Sequence, residues 1–332
     1  MEITENDILL ESVNTQTEKY INELTTMDAA DIQSPFEYLP AGAIDGYKAL
    51  SKSVISRYYQ ESLSKHICNF VPMIGPTGMI FLTTKNVQGD RKVISASGSY
   101  ELNTIQSRIT PEFLADVLKI YKTNAIEFVS KMISQDMLET LDALVVTRIK
   151  AVSLLNTLTF SANAAIADNL KLKTLNIRIE NIISDMAIST KRGCRAVLLV
   201  SKKVAIALSA TKSLLPSKSQ EEEHRDFLGY LNGIHKVFLD TNNYMALAPT
   251  VEGALIMHDG PYVGDRPMVV GAYSNLLSFH DNYSVTQNAV MIRNRQMFLR
   301  NPIDTQILGN ITPNSSAFST FLTVDFTNTT AI

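Results

Sequence analysis

The sequence predicts an α+β protein. Three observations carry that prediction: a short helix with a well-marked start near residue 110 followed by a long amphipathic one, several apolar runs of strand length set between glycine- and proline-bearing turns, and a stretch from 265 to 300 in which extended patterns predominate. The chain has 332 residues, 45% apolar and 19% charged, enough for about two domains at ~150 residues each without disulfide or metal staples.

The first 50 residues read as an arm. Eight acids face only Lys19 between residues 1 and 31, a net charge of −7 that leaves +4 for residues 32–332. Pro35, Pro40, Gly42 and Gly46 punctuate the second half of the arm. From Ala49 to Cys68 an apolar residue returns every three or four places, which predicts a helix. Pro72, Gly75, Pro76 and Gly78 then impose a turn around Thr77, and Met79 to Leu82 suits a buried strand.

Residues 83–109 are the least core-like stretch of the first half. Gly89-Asp90 and Gly98-Ser99 are turn signals, and Val93, Ser95 and Ser97 alternate with Ile94, Ala96 and Gly98, so few large side chains occupy either face. A two-stranded ribbon of this composition is marginal alone in water, so it needs a surface outside its own domain.

Thr110-Pro111-Glu112 is a helix start: a hydroxyl to cap, a proline at the first helical position and a carboxylate in the first turn. That short helix breaks at Thr123-Asn124. A longer one comes next, its apolar face marked by Phe128, Met132, Met137 and Leu141 and its polar face by Glu127, Lys131, Asp136, Glu139 and Asp142. At ~1.5 Å per residue it is nearly 40 Å long, the length of a strut. Residues 160–260 read as a mixed second domain: a helix over Leu175–Ala187, a buried strand at Ala196–Val200, a helix at Lys203–Ala210, and a loop with a charged tip at Glu221, Glu222, Glu223 and Arg225. A strand at Lys236–Asp240 and a strand, turn and strand over Tyr244–His258 complete it. After Pro302 the chain is a Ser/Thr/Asn-rich tail with one strand-like patch, Thr320–Phe326, suited to pairing with a sheet edge elsewhere.

Function classes are narrowed mainly by absence. No apolar run exceeds five residues, far below the ~18 of a membrane helix, and the acidic start lacks the pattern of a secretory signal. Cys68 and Cys194 are expected to be free thiols in a reducing interior. No phosphate loop, dinucleotide fingerprint, zincin helix or nucleophile elbow occurs. His66 with Cys68 is two ligands short of a metal site. His258-Asp259 and His280-Asp281 are adjacent pairs in turn-rich segments, more simply loop punctuation than acid/base machinery. Lys191, Arg192, Arg195, Lys202 and Lys203 read as the solvated rim of a strand and helix, or else as contacts to phosphate or a neighbour's acidic arm. No catalytic, cofactor or metal residue is assigned.

Taken in order, VPMIGPTGMIF at 71–81, the ribbon, SRITPEFLADVLKIY with the long helix after it, RGCRAVLLVSKKVAIAL, FLGYLNGIHKVFLDTN and DGPYVGDRPMVVGAYSN resemble the major capsid proteins of tailed bacteriophages, HK97-like in fold and nearest the T-even-type myophage family. The resemblance spans residues 65 to 300. It implies an N-terminal arm (1–50), a peripheral domain with a spine helix (51–82 and 110–158), an extended loop (83–109), an axial domain (mainly 159–262), return strands (263–302) and a C-terminal tail (303–332). It also implies contacts between identical subunits through Gly75, Pro76, Thr77, Gly78, Lys85, Asp90, Arg91, Lys92, Tyr100 and Glu101, with the tip at Glu221–Arg225 in the axial domain. Pentamers and hexamers would build an icosahedral head around double-stranded DNA held without sequence preference, assembled in the bacterial cytoplasm, with scaffold, portal, vertex or decoration proteins as further partners and no membrane. An encapsulin-like compartment shares the fold; a cytosolic α+β enzyme using His258 or His280 is the alternative from another class.

Overall fold

The computed structural model describes residues 47–49, 62–72, 77–85, 91–99, 101–109, 116, 119, 125–163, 166–216, 226–260, 264–284, 287–301 and 316–329. In chain order the elements are β1 (Tyr47–Ala49), α1 (Ser64–Ile67), β2 (Cys68–Pro72), β3 (Thr77–Lys85), β4 (Arg91–Ser99), β5 (Glu101–Ile109), α2 (Ala125–Val152), β6 (Ser153–Thr159), α3 (Asp168–Thr190), β7 (Ala196–Val200), α4 (Lys202–Ala210), β8 (Leu214–Leu215), β9 (Phe227–Leu231), β10 (His235–Leu239), β11 (Val251–His258), β12 (Met268–Ser284), β13 (Gln287–Arg300) and β14 (Ser316–Asp325).

A seven-stranded sheet of order β6-β14-β11-β7-β10-β9-β8 is the centre of the molecule. Because side chains alternate along a strand, its inner strands feed two cores at once. Ala196, Leu198 and Val200 of β7, Ala254 and Ile256 of β11, and Leu322 and Val324 of β14 face α3 and α4, meeting Leu175, Ile179, Ile183, Val204 and Leu208. Val197, Leu199, Leu255, Met257 and Phe321 point the other way, onto Val145, Val146 and Ile149 of α2 and onto Phe70 and Met268. The unbroken apolar run of β7 results from this position: a strand covered on both faces leaves no place for a polar residue.

The second sheet runs β1-β12-β13-β5, with β2 also paired to β12 in parallel. Its centre is the long antiparallel hairpin β12–β13. Tyr47–Ala49, the end of the predicted arm, pairs with Leu277–Phe279 of the same chain. β3 and β4 form a two-stranded ribbon by themselves.

Several expectations shift. The helix expected over Ala49–Cys68 is helical only at Ser64–Ile67 among its described residues, and Cys68 is already extended, pairing with Met268. The ribbon begins at Thr77 and ends at Ser99, while Glu101–Ile109 leaves it to pair with Gln296–Asn288 of β13. The first limb of the strand pair expected at Tyr244–His258 is one bridge, Ala246 to Glu252. The expected tail changes most: Ser316–Asp325 is an interior strand between β6 and β11, because Phe318, Phe321, Leu322 and Val324 are buried between its alternating hydroxyls. Helix α3 begins at Asp168, seven residues earlier than expected.

The pairing of β9 with β8 depends on a glycine within β9. Gly229 has φ +138°, and a Cβ there would run into the Leu215 carbonyl oxygen. Gly229→Val is expected to cost the subunit roughly 2 kcal/mol or more from strain and collision. A urea midpoint indistinguishable from wild type would disprove this account of the pairing.

Candidate assembly interface

The ribbon joins no larger sheet. Thr77 faces Ser99, Gly78 faces Gly98, Thr84 faces Lys92 and Lys85 faces Arg91, so the bases cluster at the far end of a hairpin nine residues long. At ~3.3 Å per residue it extends about 30 Å from its root. Its second strand approaches β13 without entering that sheet. Gly75, Pro76, Asp90 and Tyr100 lie outside the described residues, as does the charged tip from Glu221 to Arg225. Glu101 opens β5 and turns inward to its own molecule: its carboxylate accepts from Arg148 at 2.5 Å, and that guanidinium also lies 4.7 Å from the Phe298 ring centre. Both partners are substantially solvated, so the pair is worth no more than ~1 kcal/mol.

Helix α2 is the strut expected, 28 residues long. Phe128 and Met132 lie on its first half; Met137 and Leu141 are buried in the interior. Asp142, expected on the polar face, is buried as well. The cause lies about eighty residues away in the chain. Asp142 Oδ1 accepts from the Ser62 hydroxyl at 2.9 Å and from the Ser64 amide and hydroxyl at 3.0 and 2.5 Å, while Oδ2 accepts from the Leu63 amide at 3.0 Å. The carboxylate therefore satisfies amides at the start of α1 and fastens that segment to the strut. Burial pushes its pKa up, and the four donors oppose this.

Beside this staple is a narrow cleft lined by Glu139, Asp142, Asp226, Asp240, Asn242 and Tyr244, among others. Asp240 Oδ2 accepts the Met245 amide at 2.6 Å, and Oδ1 has no hydrogen-bond partner. Lys150 donates to the Tyr244 carbonyl at 2.9 Å and lies 4.5 Å from the Phe321 ring centre. Burial raises the Asp240 pKa, opposed by the amides of Met245, Tyr244 and Asn242 and by Lys150. The folded state thus favours the protonated acid, so this group's contribution to stability falls as pH rises from the ordinary carboxylate value through the raised one. Asp240→Asn is expected to remove that dependence. Stability curves of variant and wild type should separate in the variant's favour with increasing pH; parallel curves would refute the assignment.

The other sequence candidates are committed to structure. Both ring nitrogens of buried His258 meet carbonyl oxygens, Nδ1 that of Asp265 at 2.7 Å and Nε2 that of Gly193 at 3.0 Å, so neither is turned to a substrate. Arg192 pairs with buried Asp265, Arg266 with Asp259 at 3.1 Å, and Lys203 Nζ donates to the Pro249 carbonyl. The side chains of His280 and Asp281 lie outside the described ones. His66 stacks near Phe238, ring centres 5.0 Å apart. Among the described residues no group of three His, Cys, Asp or Glu could hold a metal ion, and no helix is long and apolar enough to cross a membrane.

Cys194 is exposed, whereas Cys68 is buried and its thiol pKa is pushed far up by burial. A maleimide is therefore expected to label one thiol per native, unassembled subunit and two after denaturation. Labelling of both in the native subunit would contradict the packing around α1.

Neither Asp142 nor Asp240 is distinguishable in the sequence from the other acids of the strut and loops. The Ser-x-Ser spacing at 62–64 offers hydroxyls to an acceptor and gives no address for it.

Comparison with known proteins agrees with this architecture. Residues 101–253, a little under half of the chain, match the family model of the major capsid protein Gp23. No curated protein matches in sequence. Among solved structures, the holo-SrpI encapsulin complex from Synechococcus elongatus PCC 7942 aligns with a TM-score of 0.50 at 11% identity, covering 86% of this chain and 94% of that one. The capsid of Ralstonia phage GP4 aligns with a TM-score of 0.50 at 9% identity, covering 80% and 92%. The chain shares the HK97-like fold of these two shells, and its stretch from β5 to the start of β11 is similar to the major capsid protein Gp23.

Proposed function

We propose that this protein is the major subunit of an icosahedral phage head, forming pentamers and hexamers that enclose double-stranded DNA and assembling in the cytoplasm of the bacterial host. The observation that carries this reading is the ribbon β3–β4, which forms a sheet by itself. A hairpin without a third strand among the described residues is marginal in water, and in this reading a neighbouring copy supplies the support. Head-to-tail contacts of this kind close into rings, and each needs only an interface of ordinary size, ~1,200 to 2,000 Å², because the shell repeats it many times. DNA contact is non-specific in this reading: the chain nets −3 and has no dense basic stripe. Scaffold, portal, vertex or decoration proteins are further partners of the assembly in the same reading.

Expression of the full chain followed by electron microscopy and nuclease protection tests the proposal. Closed shells protecting nucleic acid are expected. A strictly monomeric particle under all conditions would overturn it, and shells filled with protein cargo would favour an encapsulin-like compartment instead.

A further inference from the structure

We propose that His235 is an acid-sensitive latch: with one proton on its ring it holds the β8–β9–β10 edge of the central sheet to β7, and with a second it lets that edge go. In the sheet order these three strands reach the rest of the sheet through one seam, the parallel pairing of Lys236–Leu239 with Val197–Val200. His235 stands at the open end of that seam, 3% exposed, and its Nδ1 accepts the amide of Ala196, itself 1% exposed, at 3.2 Å. A ring nitrogen that accepts an N–H carries no proton of its own, so the ring is neutral with its proton on Nε2. That N–H faces Glu180 Oε2 of α3, 3.5 Å away, while the other oxygen of Glu180 accepts from Asn232 at the β9–β10 turn.

A second proton goes to Nδ1 and turns the acceptor into a donor. Two N–H groups then face each other at Ala196, and a buried amide without an acceptor costs stability. The charges around the ring set the direction in which it leaves. Glu180, 35% exposed at its side chain, attracts the imidazolium outward, and Arg195, on the segment that enters β7 and 3.8 Å from Asp259, repels it from Ala196. Burial pushes the His235 pKa below the ordinary histidine value, against the pull of Glu180. The latch therefore contributes fully above the ordinary histidine range, and its contribution is lost as pH falls from about 6.5 through the lowered value. His258, which pairs in register with Ala196 from β11, has the opposite sense. Both its nitrogens meet carbonyl oxygens, of Asp265 and Gly193, so a second proton there adds a donor where an acceptor stands. Acid thus loosens one side of the entry to β7 and not the other.

The latch belongs to the subunit itself, so it stands or falls apart from the shell reading. Hydrogen exchange of the full chain as dissociated subunits, followed from about pH 7.5 to about pH 5.5, tests it. After correction for the intrinsic pH dependence of exchange, the amides of β9 and β10 are expected to lose about tenfold in protection relative to those of β11 and β14. His235→Asn keeps an acceptor near the Nδ1 position and has nothing to titrate, so its loss should stay below about twofold. Glu180→Gln removes the carboxylate that draws the ring outward, and opening should then need a lower pH. A constant ratio in the wild type, or an equal loss in His235→Asn, would overturn the latch. Should His235→Asn not fold, the imidazole nitrogens of the wild type answer by NMR. A proton on Nε2 alone at about pH 7.5, and on both nitrogens once the edge has opened, is expected; a proton on Nδ1 in the closed state would overturn the latch equally.

Discussion

Replacing Asp142 with alanine is expected to cost the isolated subunit about 3–5 kcal/mol, the range for removing one partner of a buried charged network. The carboxylate accepts four hydrogen bonds, and all three donor residues, Ser62, Leu63 and Ser64, are themselves buried. Leaving those donors without an acceptor costs ~1–3 kcal/mol apiece before relaxation. The cost of burying the carboxylate disappears with it, so the net loss is smaller than the sum. Asp142→Asn keeps the shape but turns an amide toward donors, so it too is expected to destabilise, though less. Urea unfolding of dissociated subunits measures both. A loss below about 1 kcal/mol for the alanine variant would mean that the segment before α1 does not depend on the staple.

Shortening the ribbon is expected to have the larger effect on assembly and almost none on the subunit. Thr77 and Ser99 are register partners at its root, so Gly78–Gly98 can be replaced by a tight turn without moving the ends. The remaining sheets keep every strand pairing they have, and unfolding stability should change by no more than about 0.5 kcal/mol, as for other changes outside the core. Shells should no longer form. Assembly at wild-type yield would show that the ribbon is dispensable, and collapse of the subunit would show that it belongs to its own core.

How far the sequence predicts these features depends on whether each is encoded locally. The strut Ala125–Val152 is legible because its apolar stripe persists along its length. Ala196–Val200 is legible because burial on both faces leaves an unbroken apolar run. The hairpin Met268–Arg300 shows as extended sequence. What is lost is partnership. Nothing in Glu101–Ile109 says that it pairs with β13 rather than with the ribbon. In SAFSTFLTVD four hydroxyl residues interrupt five apolar ones, so only Thr320–Phe326 reads as strand-like and its inner place, with Ser319 and Thr320 as buried as their apolar neighbours, is not legible. Asp142 reads as solvated because its three donor residues lie about eighty positions earlier. The acidic cleft is assembled from three separate stretches, around 140, 226 and 240, and no single one of them carries its signature.

The place of β14 has a consequence for the order of events in the cell. It is the only described strand that bridges β6 to β11, so a nascent polypeptide holding everything up to residue 301 still has a split central sheet. Such distant pairing closes late. A chain synthesised only that far therefore lacks the joined central sheet that the folded subunit has.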